Sequence, residues 1–298
     1  MSGYRRSKPS LRASTFDSYR MIIETRIVPH VGQLPVQKLT APKLNQLYGK
    51  LLEGDDDRKA LSARPVRYTH AVLRHALQDA IRWNRVSRNV ADSAEPPSAK
   101  AAKAKVSPTW DRHQLRQFLE AEHVRKHRLY ALWRLVATTG TRRGEALALT
   151  WPDLDLEAGR ASVTDSKTES GRRLVALDEE TSATLRAHRK AQAAERLAMG
   201  PAYEANMLVF CREDGEPLLG QSVSRTFGRL AKKAGLPQVR FHDLRHGHAT
   251  LALQAGVNPK VVQERLGHSS VAFTLDRYSH AIPALQEDAA AKVAALLD

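Results

Sequence analysis

One segment divides this chain into two parts that cannot share a continuous helix. It covers residues 91–108 and reads ADSAEPPSAKAAKAKVSP, with almost no large apolar side chains. Proline lacks a backbone N–H and clashes with the preceding helical turn, so Pro96 and Pro97 interrupt any helix here. A Pro-, Ala- and Lys-rich composition is typical of a linker, and 298 residues suffice for two hydrophobic cores. We therefore expect a domain over residues 1–92, a linker over 93–108 and a second domain over 109–298.

The part before the linker is predicted to be helical. Ser14 or Thr15 can cap a first helix, which Pro29 and Gly32 should end. A second helix should follow Thr40. Apolar residues at helical spacing line one face of the second and third helices: Leu44, Leu47, Tyr48, Leu51 and Leu52, and then Val66, Tyr68, Val72, Leu73, Ala76, Leu77, Ala80 and Ile81.

The second part has a different pattern and predicts a mostly α-helical domain with a small antiparallel sheet. Alternating apolar residues around Val163 and Val175 flank the turn-rich stretch DSKTESG, which indicates a β-hairpin. Apolar residues from Trp110 to Leu119 and from Leu129 to Val136 suggest two packed helices that end at Gly140. Helical patterns return from about Glu179 to Leu197 and from Val223 to Ala234, and again from His242 onward. The segment from Ala284 to Leu297 is predicted to form a further amphipathic helix.

Charge favours a polyanionic partner. The formal net charge is +15 and the isoelectric point is near 10.1, and residues 1–105 hold 20 basic against 9 acidic side chains. A basic face kept only for solubility is the alternative. The residues that we expect to contact phosphates are Arg64, Arg67 and Arg74 on the third helix and Lys100, Lys103 and Lys105 in the linker, although these lysines would also suit a solvated tether.

The single cysteine and the absence of apolar runs bear on the compartment. Cys211 has no partner for an intrachain disulfide or a Cys/His zinc pattern. The sequence contains neither the apolar core of a signal peptide nor about 18 consecutive apolar residues. We expect a soluble protein of the cytosol.

Five short segments of the second part contain residues suited to phosphate chemistry. They are TGTRRGEAL with Arg142, the hairpin turn with Lys167, HDLRH with His242 and Arg245, LGHSS with His268, and DRYSH with Tyr278. His242 and Arg245 are three residues apart and therefore lie on one face of a helix.

In these segments the sequence resembles the tyrosine recombinase, or phage integrase, family. The family signature is an Arg in a TGxRxGE-like stretch, a Lys in a β-turn, His-x-x-Arg, Gly-His and then a Tyr about ten residues later. The chain presents these elements in order, over residues 109 to about 282. The segment TFDSYRMIIETRIVPHVG is more loosely similar to the family's core-type DNA-binding domain. The resemblance implies cleavage and rejoining of DNA through a 3′-phosphotyrosyl intermediate.

The residue types fit that chemistry. Two guanidinium groups can hold the nonbridging oxygens of a phosphorane, which suits Arg142 and Arg245. Tyrosine has an unperturbed pKa of roughly 10, and nearby cations favour its phenolate as a nucleophile. The resemblance assigns the protonation of the leaving 5′ oxygen to Lys167. His268 can bond a phosphate oxygen, and His242 can position groups or accept a proton.

No cofactor or metal is expected. The phosphotyrosyl bond conserves the energy of the broken phosphodiester, and the sequence has no Walker loop, HExxH motif or carboxylate cluster for two magnesium ions. His242 and His246 could form half of a zinc site, but no third ligand is evident. The partners that the resemblance implies are double-stranded DNA attachment sites, further copies of the chain in a tetramer on DNA, and accessory directionality or DNA-bending proteins.

Three alternatives stay open at this point. A chromosome-dimer resolvase belongs to the same family, a type IB topoisomerase shares the chemistry, and a catalytically idle regulator would use the DNA-binding domain alone. The motif around Tyr278 favours integration or excision of a phage or mobile element. The core-type segment starts almost at Met1, so we expect an arm-site domain to be either naturally absent or removed.

Overall fold

The computed structural model of the protein describes residues 13–55, 58–102, 108–164 and 172–278. The chain divides into two compact units, Met1–Val106 and Ser107–Asp298. The predicted class, mainly α with a small antiparallel sheet, is confirmed. The predicted C-terminal helix over 284–297 lies outside the described residues.

The helices of the first unit are α1 (Ala13–Ile22), α2 (Val28–Val31), α3 (Ala41–Glu53) and α4 (Ala63–Arg82), and 3₁₀ turns form at Val36–Lys38 and Val90–Ser93. Their buried side chains form one core, whose members include Ile22, Leu44, Leu47, Tyr48, Val66, Leu73 and Leu77. Gly54 ends α3 with a φ of 77°, a conformation that glycine adopts without a steric penalty.

The start and the continuation of the first helix differ from the prediction. Ser14 and Thr15 lie inside α1, which already includes Ala13, so neither caps it. Pro29 does not end the helix either. A π-helical turn over Ile23–Ile27 separates α1 from α2 and places Pro29 in the first turn of α2, where no backbone N–H donor is required. Gly32 ends α2, as the sequence predicts.

Part of the predicted linker contacts the first unit. Ala91, two residues before the predicted linker, is buried in the core of this unit. The backbone N–H of Glu95 donates to Asn45 Oδ1 at 2.7 Å, and Arg67 Nη1 donates to the carbonyl of Pro97 at 3.0 Å. The chain therefore stays attached to α3 and α4 as far as residue 97.

The helices of the second unit are α5 (Arg112–Glu120), α6 (Glu122–Arg125), α7 (Tyr130–Thr139), α8 (Arg143–Ala148), α9 (Glu179–Met199), α10 (Gly220–Lys233), α11 (Asp243–Gln254), α12 (Pro259–Leu266) and α13 (Val271–Tyr278), with 3₁₀ turns at Trp151–Asp153 and Gly200–Ala202. Asp111 caps α5 by accepting the N–H groups of His113 and Gln114. Buried aromatic side chains form the centre of the core: Trp110, Phe118, Trp133, Phe227 and Phe241, with ring centroids 5.1–5.8 Å apart.

A three-stranded antiparallel sheet lies beside this core. It consists of β1 (Leu154–Asp155), β2 (Arg160–Thr164) and β3 (Arg172–Ala176), in the order β1-β2-β3. Ala161 pairs with Val175, and both are buried. The strands of the predicted hairpin are thus confirmed.

Candidate active site

A sharp turn after α7 places Arg142. Gly140 ends α7 with a φ of 66°, and a Cβ added to it would lie 2.5 Å from Leu266 Cδ2. Both the left-handed conformation and the lack of space therefore require glycine. Arg142 follows as the N-cap of α8, with its side chain 31% exposed.

A buried carboxylate fixes this arginine. Glu145, whose side chain is 2% exposed, accepts the backbone N–H of Arg142 at 2.9 Å and its Nη1 at 2.6 Å. Arg173 of β3 donates to the same carboxylate, with Nη2 to Oε2 at 2.7 Å. Burial alone would raise the pKa of Glu145, but the hydrogen bonds and charges of the two arginines outweigh it and lower the pKa. Glu145 is therefore an anion that holds two cations in place.

The second arginine meets the first at the end of α12. Arg245 is 2% exposed and donates to the carbonyls of Gly140 at 2.8 Å and Leu266 at 2.6 Å. Arg142 Nη2 donates to the next carbonyl, that of Gly267, at 3.0 Å. Two guanidinium groups thus bind consecutive carbonyls at the negative end of a helix dipole. Burial and then the charge of Arg142 lower the pKa of Arg245 to about 10, so it stays charged at neutral pH.

His268 follows these carbonyls directly. Gly267 is left-handed, with a φ of 66°, and the N–H of His268 donates to the carbonyl of Gln263, which closes α12 with a Schellman-type bond. The ring Nδ1 lies 2.9 Å from Oγ1 of the buried Thr274. Burial and then the charge of Arg245 lower the pKa of His268 to about 4. Its imidazole is therefore neutral at pH 7.

Tyr278 ends α13 and is 2% exposed, packed with Ala249, Leu253 and Leu266. Its hydroxyl lies 2.8 Å from His246 Nδ1. The phenol ring is nearly parallel to the ring of His268, with centroids 6.3 Å apart. Tyr278 lies close enough to Arg245 for its charge to raise the pKa of that guanidinium. The phenol thus lies beside His246 and His268 and within electrostatic range of Arg245 of the same chain.

His242 lies at the rim of this cluster. It is exposed at the N-terminus of α11, and its ring meets that of His246 edge-on at 5.3 Å. Desolvation and then the charge of Arg245 lower its pKa. Lys167 lies outside the described residues. The structure therefore brings together Arg142, His242, Arg245, His268 and Tyr278 from four separate segments.

Sequence patterns did not single out Arg173 or Thr274 of this cluster, and they indicated His246 only as a candidate zinc ligand beside His242. His246 adjoins Arg245, Arg173 lies on the predicted hairpin, and Thr274 lies four residues before Tyr278. The spacing of Thr274 from Tyr278 on one helix was the only available signal for it. The contacts of His246 and Arg173 join residues that are 32 and 28 positions apart.

The candidate DNA-binding residues of the first unit differ in their environments. Arg64, Arg67 and Tyr68 are exposed and line one groove on α4. Arg74 is also exposed, but its Nε contacts Asp92 at 2.6 Å. Lys100 is exposed. Lys103 and Lys105 lie outside the described residues. A basic groove on α4 is therefore present, and Arg74 is committed to an ion pair beside it.

Two features of other function classes, a membrane-spanning helix and a cluster of metal ligands, are absent from the described residues. None of their helices has both the length and the apolar character needed to cross a membrane. Across the same residues, no three side chains of the His, Cys, Asp and Glu types are grouped as metal ligands.

Comparison with known proteins identifies similar chains. The profile described as phage integrase family matches residues 109–284, and that described as phage integrase, N-terminal SAM-like domain, matches residues 4–52. A tyrosine recombinase XerC-like protein of Caldanaerobacter subterraneus subsp. tengcongensis is 30% identical over 200 residues. That match covers 59% of this chain and only 51% of the relative, so the chain spans about half of that relative's length. The ICEBs1 integrase of Bacillus subtilis is 26% identical over 98% of this chain and 79% of its own.

Solved structures of low identity share the fold. The Tn1549 transposon integrase in complex with transposon right-end DNA has a TM-score of 0.75 and 20% identity, covering 97% of this chain and 98% of the other. A lambda integrase dimer bound to a COC′ core site has a TM-score of 0.67 and 19% identity, covering 91% and 90%. Both likenesses extend over nearly the whole length of each chain.

Proposed function

The chain belongs to the phage integrase family, whose profile matches residues 109–284, and from this premise we propose that it is a site-specific recombinase that cuts and rejoins DNA through Tyr278. The observation that carries the proposal is the position of the Tyr278 phenol, which packs beside His268 and close to Arg245 of the same chain. The site thus contains a nucleophile, two cations and a neutral imidazole. This combination suits attack on a phosphodiester.

The arginines supply the positive charge that the transition state needs. The phosphorane gains negative charge on its nonbridging oxygens, and guanidinium groups stabilise it with permanently charged donors. A guanidinium has five N–H donors, and Arg245 makes two hydrogen bonds among the described residues. Arg142 presents the more accessible guanidinium of the pair. Both arginines therefore stay held by carbonyls and can still bind phosphate.

The remaining roles follow from charge and position. His268 is neutral at pH 7 in the free protein, and it is placed to donate a hydrogen bond to a phosphate oxygen. His242 lies at the exposed rim, where it helps to orient the phosphate. Lys167 is proposed as the acid that protonates the leaving 5′ oxygen. The 5′ hydroxyl of a partner strand then attacks the phosphotyrosine and releases Tyr278, which restores a phosphodiester bond.

We further propose integration or excision of a mobile element in a bacterial cytoplasm as the biological role. The similarity to the ICEBs1 integrase over 98% of this chain supports this reading. The XerC-like relative supports a chromosome-dimer resolvase as the second candidate. A tetramer assembled on two duplex sites, with accessory directionality or DNA-bending proteins, is the proposed machinery. The groove lined by Arg64 and Arg67 is proposed to bind the phosphates of the site.

A nicked suicide substrate tests the activity. The DNA fragment released by cleavage diffuses away, so the covalent adduct accumulates and appears as a shifted band on a denaturing gel. We expect an adduct on the authentic site and none on a scrambled site of equal length. Failure of the wild-type protein to form an adduct would leave only the DNA-binding regulator. Relaxation of any supercoiled plasmid without a specific site would indicate a type IB topoisomerase.

Mapping the site separates the two biological roles. Footprinting and cleavage mapping should place the crossover at an attachment site beside the encoding gene if the chain serves a mobile element. A crossover near the replication terminus would identify the dimer resolvase. Sedimentation should show self-association on DNA, and a stable tetramer without DNA would contradict the proposed assembly.

A further inference from the structure

His246 makes a direct contact with the proposed nucleophile. It lies on α11 immediately after Arg245, and its Nδ1 is 2.8 Å from the Tyr278 hydroxyl. The ring is only partly buried, and its centroid is 5.9 Å from that of the phenol. This distance is normal for a hydrogen bond between a hydroxyl and a ring nitrogen. The contact therefore joins a basic group to the atom that attacks phosphorus.

We propose that His246 is a catalytic residue that accepts the Tyr278 proton during cleavage and returns it during rejoining. The inference rests on the proposed recombinase function and assigns the base for that same site. A phenol must lose its proton when its oxygen bonds to phosphorus. A neutral imidazole with its hydrogen on Nε2 has its lone pair on Nδ1, the atom that faces the hydroxyl.

The step balances without a co-reactant. As the bond between Tyr278 Oη and phosphorus forms, the hydroxyl proton moves to Nδ1 and His246 becomes an imidazolium. The bond between phosphorus and the 5′ oxygen breaks, and that oxygen takes a proton from the acid proposed above, Lys167. During rejoining a 5′ hydroxyl attacks phosphorus and gives its proton to the now neutral Lys167, and the imidazolium gives its proton back to Tyr278 as the phosphotyrosyl bond breaks.

The neighbouring imidazoles are placed less well for this task. Nδ1 of His268 is committed to Thr274, and its ring lies parallel to the phenol, with centroids 6.3 Å apart. A parallel ring directs its in-plane lone pair away from the phenol face. His242 approaches the ring of His246 and lies at the exposed rim. Within the described part of the chain, the geometry therefore favours His246.

The charged surroundings of His246 come from several elements. His242, Asp243 and Arg245 share its helix, His268 precedes α13, and Tyr278 ends it. Asp243 is paired with Arg240 through two hydrogen bonds from the guanidinium, which offsets its negative charge. Protonation of His246 at low pH fills the acceptor position. Cleavage should therefore slow as the pH falls through the titration of His246.

Two variants of His246 distinguish a residue that accepts the Tyr278 proton from one that only holds the phenol by a hydrogen bond. In His246→Asn the amide oxygen replaces Nδ1 at nearly the same position, so it can accept the hydrogen bond but cannot take the proton. His246→Gln displaces the amide and loses the contact. We expect single-turnover cleavage of the suicide substrate to fall by roughly 100-fold or more in both variants. His113→Gln, an exposed substitution on α5, is the matched control and should cleave at the wild-type rate.

A modified substrate identifies which proton transfer is lost. A 5′-bridging phosphorothiolate has a leaving group that needs no protonation, so it should restore cleavage by Lys167→Ala. It should not restore His246→Asn, because the phenol proton still has no acceptor. The proposal would be overturned if this substrate restored cleavage by His246→Asn. It would also be overturned if His246→Asn cleaved ordinary DNA at the wild-type rate. Faster cleavage than wild type would show that His246 holds Tyr278 in a resting position instead.

The wild-type protein provides a measurement that does not depend on the variants folding. On the phosphorothiolate substrate its cleavage rate should rise with pH and then level off as His246 becomes neutral. A cleavage rate that falls as the pH rises would overturn the proposal. Absence of any adduct with wild-type protein would instead refute the recombinase function itself, so the two failures are distinguishable.

Discussion

Replacing Glu145 with alanine should destabilise the second unit strongly. The carboxylate accepts hydrogen bonds from Arg142 and from both terminal nitrogens of Arg173, and the two arginine side chains are 31% and 12% exposed. Without the carboxylate, two guanidinium cations would be left partly buried with no anion between them. Breaking a buried ion pair by removing one partner costs about 3–5 kcal/mol. For a unit of this size that corresponds to a decrease in Tm of roughly 6–20 °C.

Thermal unfolding followed by circular dichroism provides the assay. Glu264→Ala is the matched control, because Glu264 forms an ion pair with Lys260 in which both side chains are 61% exposed. Such a pair contributes about 0–1 kcal/mol. A decrease in stability for Glu145→Ala no larger than that of the control would refute the reasoning.

The pH dependence of the same variant gives a second readout. The folded protein lowers the pKa of Glu145, so the fold favours its charged form. The stabilisation that it provides is therefore present above the normal carboxyl pKa and is lost as the pH falls through the lowered value. Glu145→Ala should lose stability at neutral pH and lack this acid-induced part of the transition. If the acid unfolding transition of Glu145→Ala matched that of the wild type, the lowered pKa of Glu145 in the folded protein would be contradicted.

The other predictions concern the geometry around the same cluster. Arg245→Lys cannot bind the carbonyls of Gly140 and Leu266 together, so single-turnover cleavage should fall by ~100-fold with DNA binding retained in gel shifts; near-normal cleavage would remove Arg245 from the site. Gly140→Ala places a side chain in a left-handed conformation against Leu266, so chemical denaturation should show a loss of about 1–3 kcal/mol, and an unchanged midpoint would contradict this. Thr274→Val removes the hydroxyl that contacts His268 and should slow cleavage by roughly 10-fold, whereas Thr274→Ser should restore it; equal rates would exclude a positioning role for the hydroxyl.

Most of the fold could be predicted because local signals agree with the packing. The same helix, α3, is indicated by three local features: its start after Thr40, its apolar stripe and the glycine that ends it. In the hairpin, the alternation around Val163 and Val175 matches the burial of both residues. Pro29 shows the limit of such signals, because a π-helical turn lets the chain pass a residue that normally ends a helix.

The candidate site could be predicted only from the order and spacing of its residues along the chain. The spacing of His242 and Arg245 on one helix shows that they share a face, but nothing local predicts that α12 presents consecutive carbonyls to Arg142 and Arg245. The contact of His246 with the phenol also depends on how α11 packs against α13. Similarly, charge alone did not show that Arg74 pairs with Asp92.

Mixing two inactive variants tests the central claim most directly, namely that each chain places its own phenol against its own arginines. Tyr278→Phe lacks the nucleophile, and Arg142→Ala lacks one of the two cations. If each site draws Tyr278 and Arg142 from one chain, an equimolar mixture on the suicide substrate should form no more adduct than either variant alone. Adduct formation by the mixture, with Tyr278 of one chain acting beside Arg142 of another, would contradict the account.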